Sequence, residues 1–203
     1  MIGTPPGIIA GPLSIVDVNV SPQARPLRRE SRAGIASRFE VALERANGSL
    51  AAHCIHELWM RGEMSINIEA ALERLWRCAA ASIPEWLPMR YVDWLPRVYD
   101  IALGFHAPDK GRSNIYLVLL DYRDHRKEAY GVYVGMSNYS PSERFDQHKA
   151  GIRAAGSVLK RGLEVLTGPS LHLQSIKRAQ AARIEVELAQ RLAAEGLRVK
   201  GGH

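Results

Sequence analysis

Cysteine is nearly absent: two residues, Cys54 and Cys78, occur in 203, too few for a disulfide framework or a four-thiolate zinc site. Both stand in apolar, helix-like runs, so the expected setting is reducing and cytoplasmic. Long apolar runs are missing as well. The longest unbroken aliphatic or aromatic stretch is residues 115–120, far below the ~20 residues that span a bilayer, and no membrane partner is expected. Residues 1–7 carry neither the basic start nor the apolar core of a secretory signal, so export by that route is not expected. Acidic side chains are the scarcer sign of charge, 21 against 27 basic for a net charge of +6. Residues 113–203 hold 14 basic and 9 acidic side chains, so five of the six net charges lie there. A clustered basic excess points towards a polyanion, because neutralising phosphates releases condensed counterions. With 46% apolar and 24% charged residues the composition is that of a globular chain, and its length suits one ordinary domain with a smaller companion.

Residues 1–30 contain Pro5, Pro6, Pro12, Pro22 and Pro26 among small side chains, which breaks helices and reads as an extended or strand-bearing arm. Residues 31–112 read as a mainly helical region. Ile35, Phe39, Ala42 and Ala46 recur at helical spacing until Asn47 and Gly48; Leu50, Cys54 and Leu58 with Ile55 and Trp59 make a second helix. Ile68, Leu72, Leu75, Trp76 and Ala79 form the stripe of a third, stopped by Pro84 and Pro88. Residues 85–112 read as a packed connector, closed at 107–112 by a turn-like segment where a domain boundary is placed. His53, His56 and Glu57 cluster on the second helix, but the order is not that of a metalloprotease motif, and they are read as structural.

Periodicity changes at Asn114. Residues 115–120 are apolar on both faces, as a central strand would be, and residues 121–129 make a hairpin loop. In the second strand Tyr130, Val132, Val134 and Met136 point one way, Gly131, Tyr133 and Gly135 the other. Tyr133 is therefore expected on an open shelf between two residues without side chains. Ser140, Pro141, Ser142 and Glu143 form a capping box with proline at the first helical position. On that helix Arg144 and His148 share one face, and Phe145 and Ile152 another that can pack. A break is expected at Thr167, Gly168 and Pro169, then a long helix over 175–195 and a short closing strand at 197–200.

These residues resemble the GIY-YIG nuclease family over about residues 113–203. Asn114, Ile115 and Tyr116 stand for the first motif, and Tyr133, Val134 and Gly135 for the second. Arg144 and His148 follow on a helix, then a later helix carries Glu185 and Glu187. Each motif is short, but four in order on a strand, strand, helix, helix frame are jointly specific. Asn114 replaces the usual glycine of the first motif, and residues 197–202 lack the asparagine that many members place there. The resemblance implies a small α/β domain with a short, mostly antiparallel sheet flanked by helices, preceded here by the mainly helical N-terminal region.

The resemblance also implies a metal-binding glutamate, and helix geometry chooses between two. Glu185 shares a face with Ala181, Ala182, Leu188, Ala189 and Leu192, whereas Glu187 lies with Arg183 and Arg191 on an ordinary charged face. A carboxylate on an apolar face is costly unless a cation or donor meets it. Singly, a strand tyrosine is ordinarily core, and a helix arginine or histidine ordinarily solvated. The weight rests on their convergence.

The expected activity is metal-dependent hydrolysis of phosphodiester bonds in nucleic acid, DNA first and RNA as the alternative, with Mg2+ or Mn2+ as implied by the resemblance. Glu185 would bind the metal. Tyr116 or Tyr133 would be the base and the other would orient water or phosphate. Arg144 would hold phosphoryl oxygens, and His148 would assist by hydrogen bond or proton relay. Lys149, Arg153, Lys160, Arg161, Lys177 and Arg178 are the candidate contacts to the nucleic-acid backbone. The competing class is a non-catalytic nucleic-acid-binding or protein-interaction module on the same fold. The N-terminal region would recognise a target, contact a protein partner or dimerise.

Overall fold

In the computed structural model, which describes residues 20–124 and 129–202, the doubly apolar run lies within a central strand, β1 (Lys110–Asp121), with a neighbour on each side. Ile115, Leu117 and Leu119 point into a large apolar cluster, and Tyr116, Val118 and Leu120 into a smaller one. β2 (Tyr130–Ser137) pairs with it antiparallel, from Asn114 opposite Ser137 to Asp121 opposite Tyr130. Asp121 is thus the last rung of the ladder rather than part of the loop, and residues 125–128 of that loop lie outside the described residues. Val132 and Val134 face the large cluster while Tyr133 packs on the small one, the alternation that the sequence predicts.

The other two strands complete an α/β fold with a mixed sheet ordered β3-β1-β2-β4. β3 (Gly162–Val165) runs antiparallel to β1 with a register shift between Leu119 and Leu120; β4 (Val199–Gly201) runs parallel to β2. β3 is not expected from the sequence.

The N-terminal helices are α1 (Arg32–Glu44), α2 (Gly48–Met60) and α3 (Ser65–Ala79). Ser31 Oγ accepts the Gly34 N–H and Asn47 Oδ1 the Leu50 N–H, so the capping side chains fix where α1 and α2 begin. Trp76 does not join the buried stripe of α3 and is 61% exposed. At 100° per residue it stands roughly 80° round from Ile68, at the stripe's margin. The connector contains an unexpected helix, α4 (Leu95–Leu103), whose Pro96 sits in the first turn where it is tolerated. Of the N-terminal arm, residues 1–19 lie outside the described residues. The part from Val20 onwards forms a 3-10 turn over Pro22–Ala24 rather than an extended strand, capped by Ser21. Arg25, just beyond it, joins Arg61 in clasping the buried Glu57 carboxylate at 2.8 and 2.7 Å.

On the small-cluster face lie α5 (Pro141–Lys149) and α6 (Gly156–Arg161). Both bonds of the capping box are present at Ser140 and Glu143. Where a break is expected there is a single helical turn, α7 (Thr167–Ser170). α8 (Arg178–Ala194) starts three residues later than expected and closes before Gly196, whose φ is 85°. It packs its Ile184, Leu188 and Leu192 face into the large cluster, which runs unbroken from Leu27 to Leu197 and so crosses residues 107–112. Among the described residues no helix is long and apolar enough to cross a membrane.

Candidate active site

The space beside Gly135 is occupied rather than open. Tyr116 pairs with Gly135 across the ladder, and a Cβ at 135 would lie 2.6 Å from the Tyr116 hydroxyl and 2.7 Å from the Tyr133 ring. Tyr122 covers the other glycine, with a ring carbon 2.8 Å from where a Cβ on Gly131 would stand. The expected shelf is therefore two slots filled from the neighbouring strand. In the first, the Tyr116 and Tyr133 rings lie 5.9 Å apart.

His148 stands over both rings from α5, at 6.0 and 5.9 Å. Its Nδ1 accepts the Ala155 N–H at 2.9 Å, and its Nε2 lies 2.9 Å from Tyr116 Oη. A neutral imidazole that accepts at Nδ1 carries its proton at Nε2. Nε2–H therefore donates to Tyr116 Oη, and the Tyr116 hydroxyl hydrogen is left to point to Tyr133. The electrostatics agree. Burial pushes the Tyr116 phenol well above its ordinary value, the Tyr133 charge and hydrogen bond push it further, and Arg144 draws it partly back. Burial raises Tyr133 too, but the Tyr116 hydrogen bond lowers it; Glu185 raises it and Arg144 lowers it. His148 falls to about 4, chiefly from burial and then from the Arg144 charge, so it is neutral at neutral pH.

Arg144 lies at the mouth of this group. Its guanidinium donates to Gln147 Oε1 at 3.0 Å and to the carbonyls of Ile152 and Arg153 at 3.2 and 2.8 Å, a fork that sets its plane. Glu185 comes from α8 and is 8% exposed. Between its backbone and Tyr133 passes the glycine pair at the end of β4: a Cβ on Gly201 would meet Val134 O and the Tyr133 ring, and one on Gly202 would meet Ala189 Cβ at 2.5 Å. This glycine pair is a signal that the sequence reading passes over. Glu187 pairs with Arg183 at 3.7 Å in solvent, as expected. Ala182 is exposed and does not share the Glu185 face, and Arg191 lies over the Phe105 ring rather than beside Glu187.

The structure brings Tyr116, Tyr133, Arg144, His148 and Glu185 together, but of the six basic candidates it sets Arg153 beside Arg144 and spreads the others over separate places. Lys149 Nζ caps the carbonyls of Leu159 and Gly162, Arg161 grips Asp124 at 2.8 Å, and Lys177 pairs with Asp109 at 3.3 Å. Lys160 and Arg161 stand at the Asp121 end of β1, away from Tyr116. Lys177 and Arg178 lie where Ile176 bridges to Lys110 and Ser113. Arg153 shares a cleft with Arg144. Asn114, the departure from the first motif, is a fastener. Its Nδ2 donates to the Tyr139 carbonyl and its Oδ1 accepts the Ser175 N–H, both at 2.8 Å, which ties β1 to the turn before α5 and to the segment before α8. Ile152, expected to pack, is exposed instead.

Among the described residues no group of three or more His, Cys, Asp or Glu side chains gathers as a metal cage. Comparison of the chain with family models, with curated proteins and with solved structures finds no match.

Proposed function

We propose that this chain is a metal-dependent endonuclease of the GIY-YIG type, hydrolysing phosphodiester bonds in nucleic acid, DNA first. The observation that carries the reading is the hydrogen-bonded run from the Ala155 N–H through His148 to Tyr116, with Tyr133, Arg144 and a buried carboxylate beside it.

Tyr133 is the general base. Its phenolate would be met by the neighbouring Tyr116 hydroxyl, which lowers the Tyr133 pKa, whereas Tyr116 is held in its protonated form. A phenol with its pKa near 10 is a poor base at neutral pH, and burial makes it poorer, so positive charge near Tyr133 is required. Arg144 would supply part of it, and its remaining N–H groups would hold phosphoryl oxygens as charge builds in the transition state. Neutral His148 keeps the Tyr116 hydrogen aimed at Tyr133. A single buried carboxylate does not make a protein cage, but it fits an ion that keeps most of its waters and takes the rest of its ligands from phosphate. Glu185 would hold that ion, Mg2+ or Mn2+, whose contribution when bound is Lewis-acid polarisation of the phosphate.

The test is cleavage of supercoiled, linear and single-stranded DNA and of RNA with either metal. Glu185→Ala should abolish cutting while binding in metal-free buffer survives, and Glu187→Ala should cut normally. If no nucleic acid is cut with either metal, and Tyr116→Phe and Tyr133→Phe bind as the unaltered protein does, the chain is a binding module.

A further inference from the structure

Tyr139 is the exposed aromatic nearest this site, and nothing in the fold accounts for its exposure. The residue is 54% exposed, yet its backbone is held by hydrogen bonds before and after it. The Tyr139 N–H donates to Ser137 Oγ at 3.0 Å, its carbonyl accepts from Asn114 Nδ2 at 2.8 Å, and the next N–H, of Ser140, donates to Glu143 Oε2 at 2.9 Å. A ring on a pinned backbone loses little further freedom when something stacks on it, so it is prepared for a ligand.

Tyr139 forms one wall of a cleft of about 470 Å3, within the ~300–1,000 Å3 of small-molecule sites. Ile152, 56% exposed, lines the same cleft. Arg144 and Arg153 also line it. Arg153 holds a left-handed backbone with φ of 44°, a conformation unfavourable for a residue with a side chain. That turn is stapled by the Arg144 bond to the Arg153 carbonyl. The Arg153 guanidinium has no ion-pair partner among the described residues. A flat ring, an apolar lining residue and a cation, next to the arginine proposed to hold phosphate, are the parts of a nucleotide subsite.

We infer that this cleft binds one unpaired nucleobase of the substrate, stacked on Tyr139, with Arg153 on the flanking phosphate. The inference rests on the nuclease reading and narrows it. A base inside a duplex cannot reach the ring without swinging out of the helix, so the preferred substrates carry an unpaired nucleotide beside the cut, as single strands, flaps, loops or mismatches do. Stacking is tolerant of base identity, and no strong sequence preference goes with it.

The experiment measures binding, so it does not depend on cleavage. An oligonucleotide with a single 2-aminopurine is titrated with the full chain in metal-free buffer, as a single strand and as a perfect duplex, and 2-aminopurine fluorescence and anisotropy are both read. Single-strand binding should quench the fluorescence. Tyr139→Ala should abolish the quench and weaken single-strand binding by roughly tenfold or more, with duplex binding within about twofold. Tyr139→Phe, which keeps the ring and controls for folding, should retain both. Arg153→Ala should weaken binding and reduce its salt dependence while keeping the quench. Equal loss of single-strand and duplex binding in Tyr139→Ala, or an unchanged quench, would overturn the subsite while leaving a cleaving enzyme intact. No binding of any nucleic acid, together with no cleavage, would overturn the subsite and the nuclease reading at once.

Discussion

Tyr116 and Tyr133 are the same residue type 5.9 Å apart, and the proposed function gives them different work. Single-turnover rates against pH should separate them. Tyr133→Phe should lose ~10²–10⁴-fold and with it the limb that reports the base. Tyr116→Phe should keep a limb but move it to higher pH, because Tyr133 then loses the donor that favours its phenolate. His148 can be read directly. Its pKa of about 4 lies below the ordinary 6.5, so imidazole NMR signals should titrate near 4, and the activity profile should show no step near 6.5. Protonation would place a hydrogen on Nδ1 against the Ala155 N–H, so its contribution to the fold is complete above 6.5 and fades as pH falls towards 4. Arg144→Ala should lower the rate by ~10²-fold or more with affinity little changed. Arg144→Lys should not restore it, since an ammonium cannot reproduce the fork to two carbonyls and Gln147.

The element that most narrowly limits the site is the paired stretch of β1 and β2 at Gly135. Gly135→Ala would place a methyl group 2.6 Å from the Tyr116 hydroxyl, and that oxygen belongs to a ring buried on all sides. Overpacking of this kind destabilises by ~1–3 kcal/mol, and the tyrosines would part, so activity should fall well beyond what the stability change accounts for. Denaturant melts and cleavage rates on the same protein check both. At the start of α5, Ser140→Ala removes the cap and one half of the box, for a loss of about 1 kcal/mol.

Such elements differ in how far the sequence discloses them. The doubly apolar β1, the alternating β2 and the box at Ser140 are legible because each signal is local and periodic. β3 is not, since four residues with a glycine at one end acquire strand geometry only by pairing with β1 across a register shift. Pro96 hides α4 by standing where a proline is both a breaker and a good first-turn residue. For the site, the set of two tyrosines, an arginine, a histidine and a glutamate comes from the resemblance, while spacing pairs Arg144 with His148 and chooses Glu185 over Glu187. That Tyr116 fills the slot beside Tyr133 depends on cross-strand register, and the part of Asn114 depends on contacts between segments remote in the chain.

At the scale of the molecule, a second set of buried histidines sets the response to acid. His53 and His56 lie against Trp86, and His56 also meets the Tyr99 ring edge-on. Burial lowers them from 6.5 to about 4 and about 3, respectively. The unfolded chain takes up their protons first, so stability should be full above pH 6.5 and decline as pH falls towards 4 and below. Glu57 adds a lower window. Burial raises it, but bonds and charges from Arg25 and Arg61 outweigh that and leave it below 4.5, so its contribution is lost only as pH drops beneath that value. Urea midpoints at pH 7, 5.5 and 4.5 should fall steadily, and His53→Leu should flatten the slope; a slope unchanged by that substitution would assign the acid sensitivity elsewhere.

The two bonds of the Asn114 amide reach 25 residues forward to Tyr139 and 61 to Ser175. Contacts of such separation close after hairpins and helices have formed, because the loop entropy must be met before they return anything. The site is therefore a late event of folding, assembled when the segment before α8 docks on β1. Amide hydrogen exchange would register this as partial protection: the Ser175 N–H, on a residue exposed to solvent but bonded to Asn114, should exchange more slowly than the surface turns around it and faster than the amides of β1.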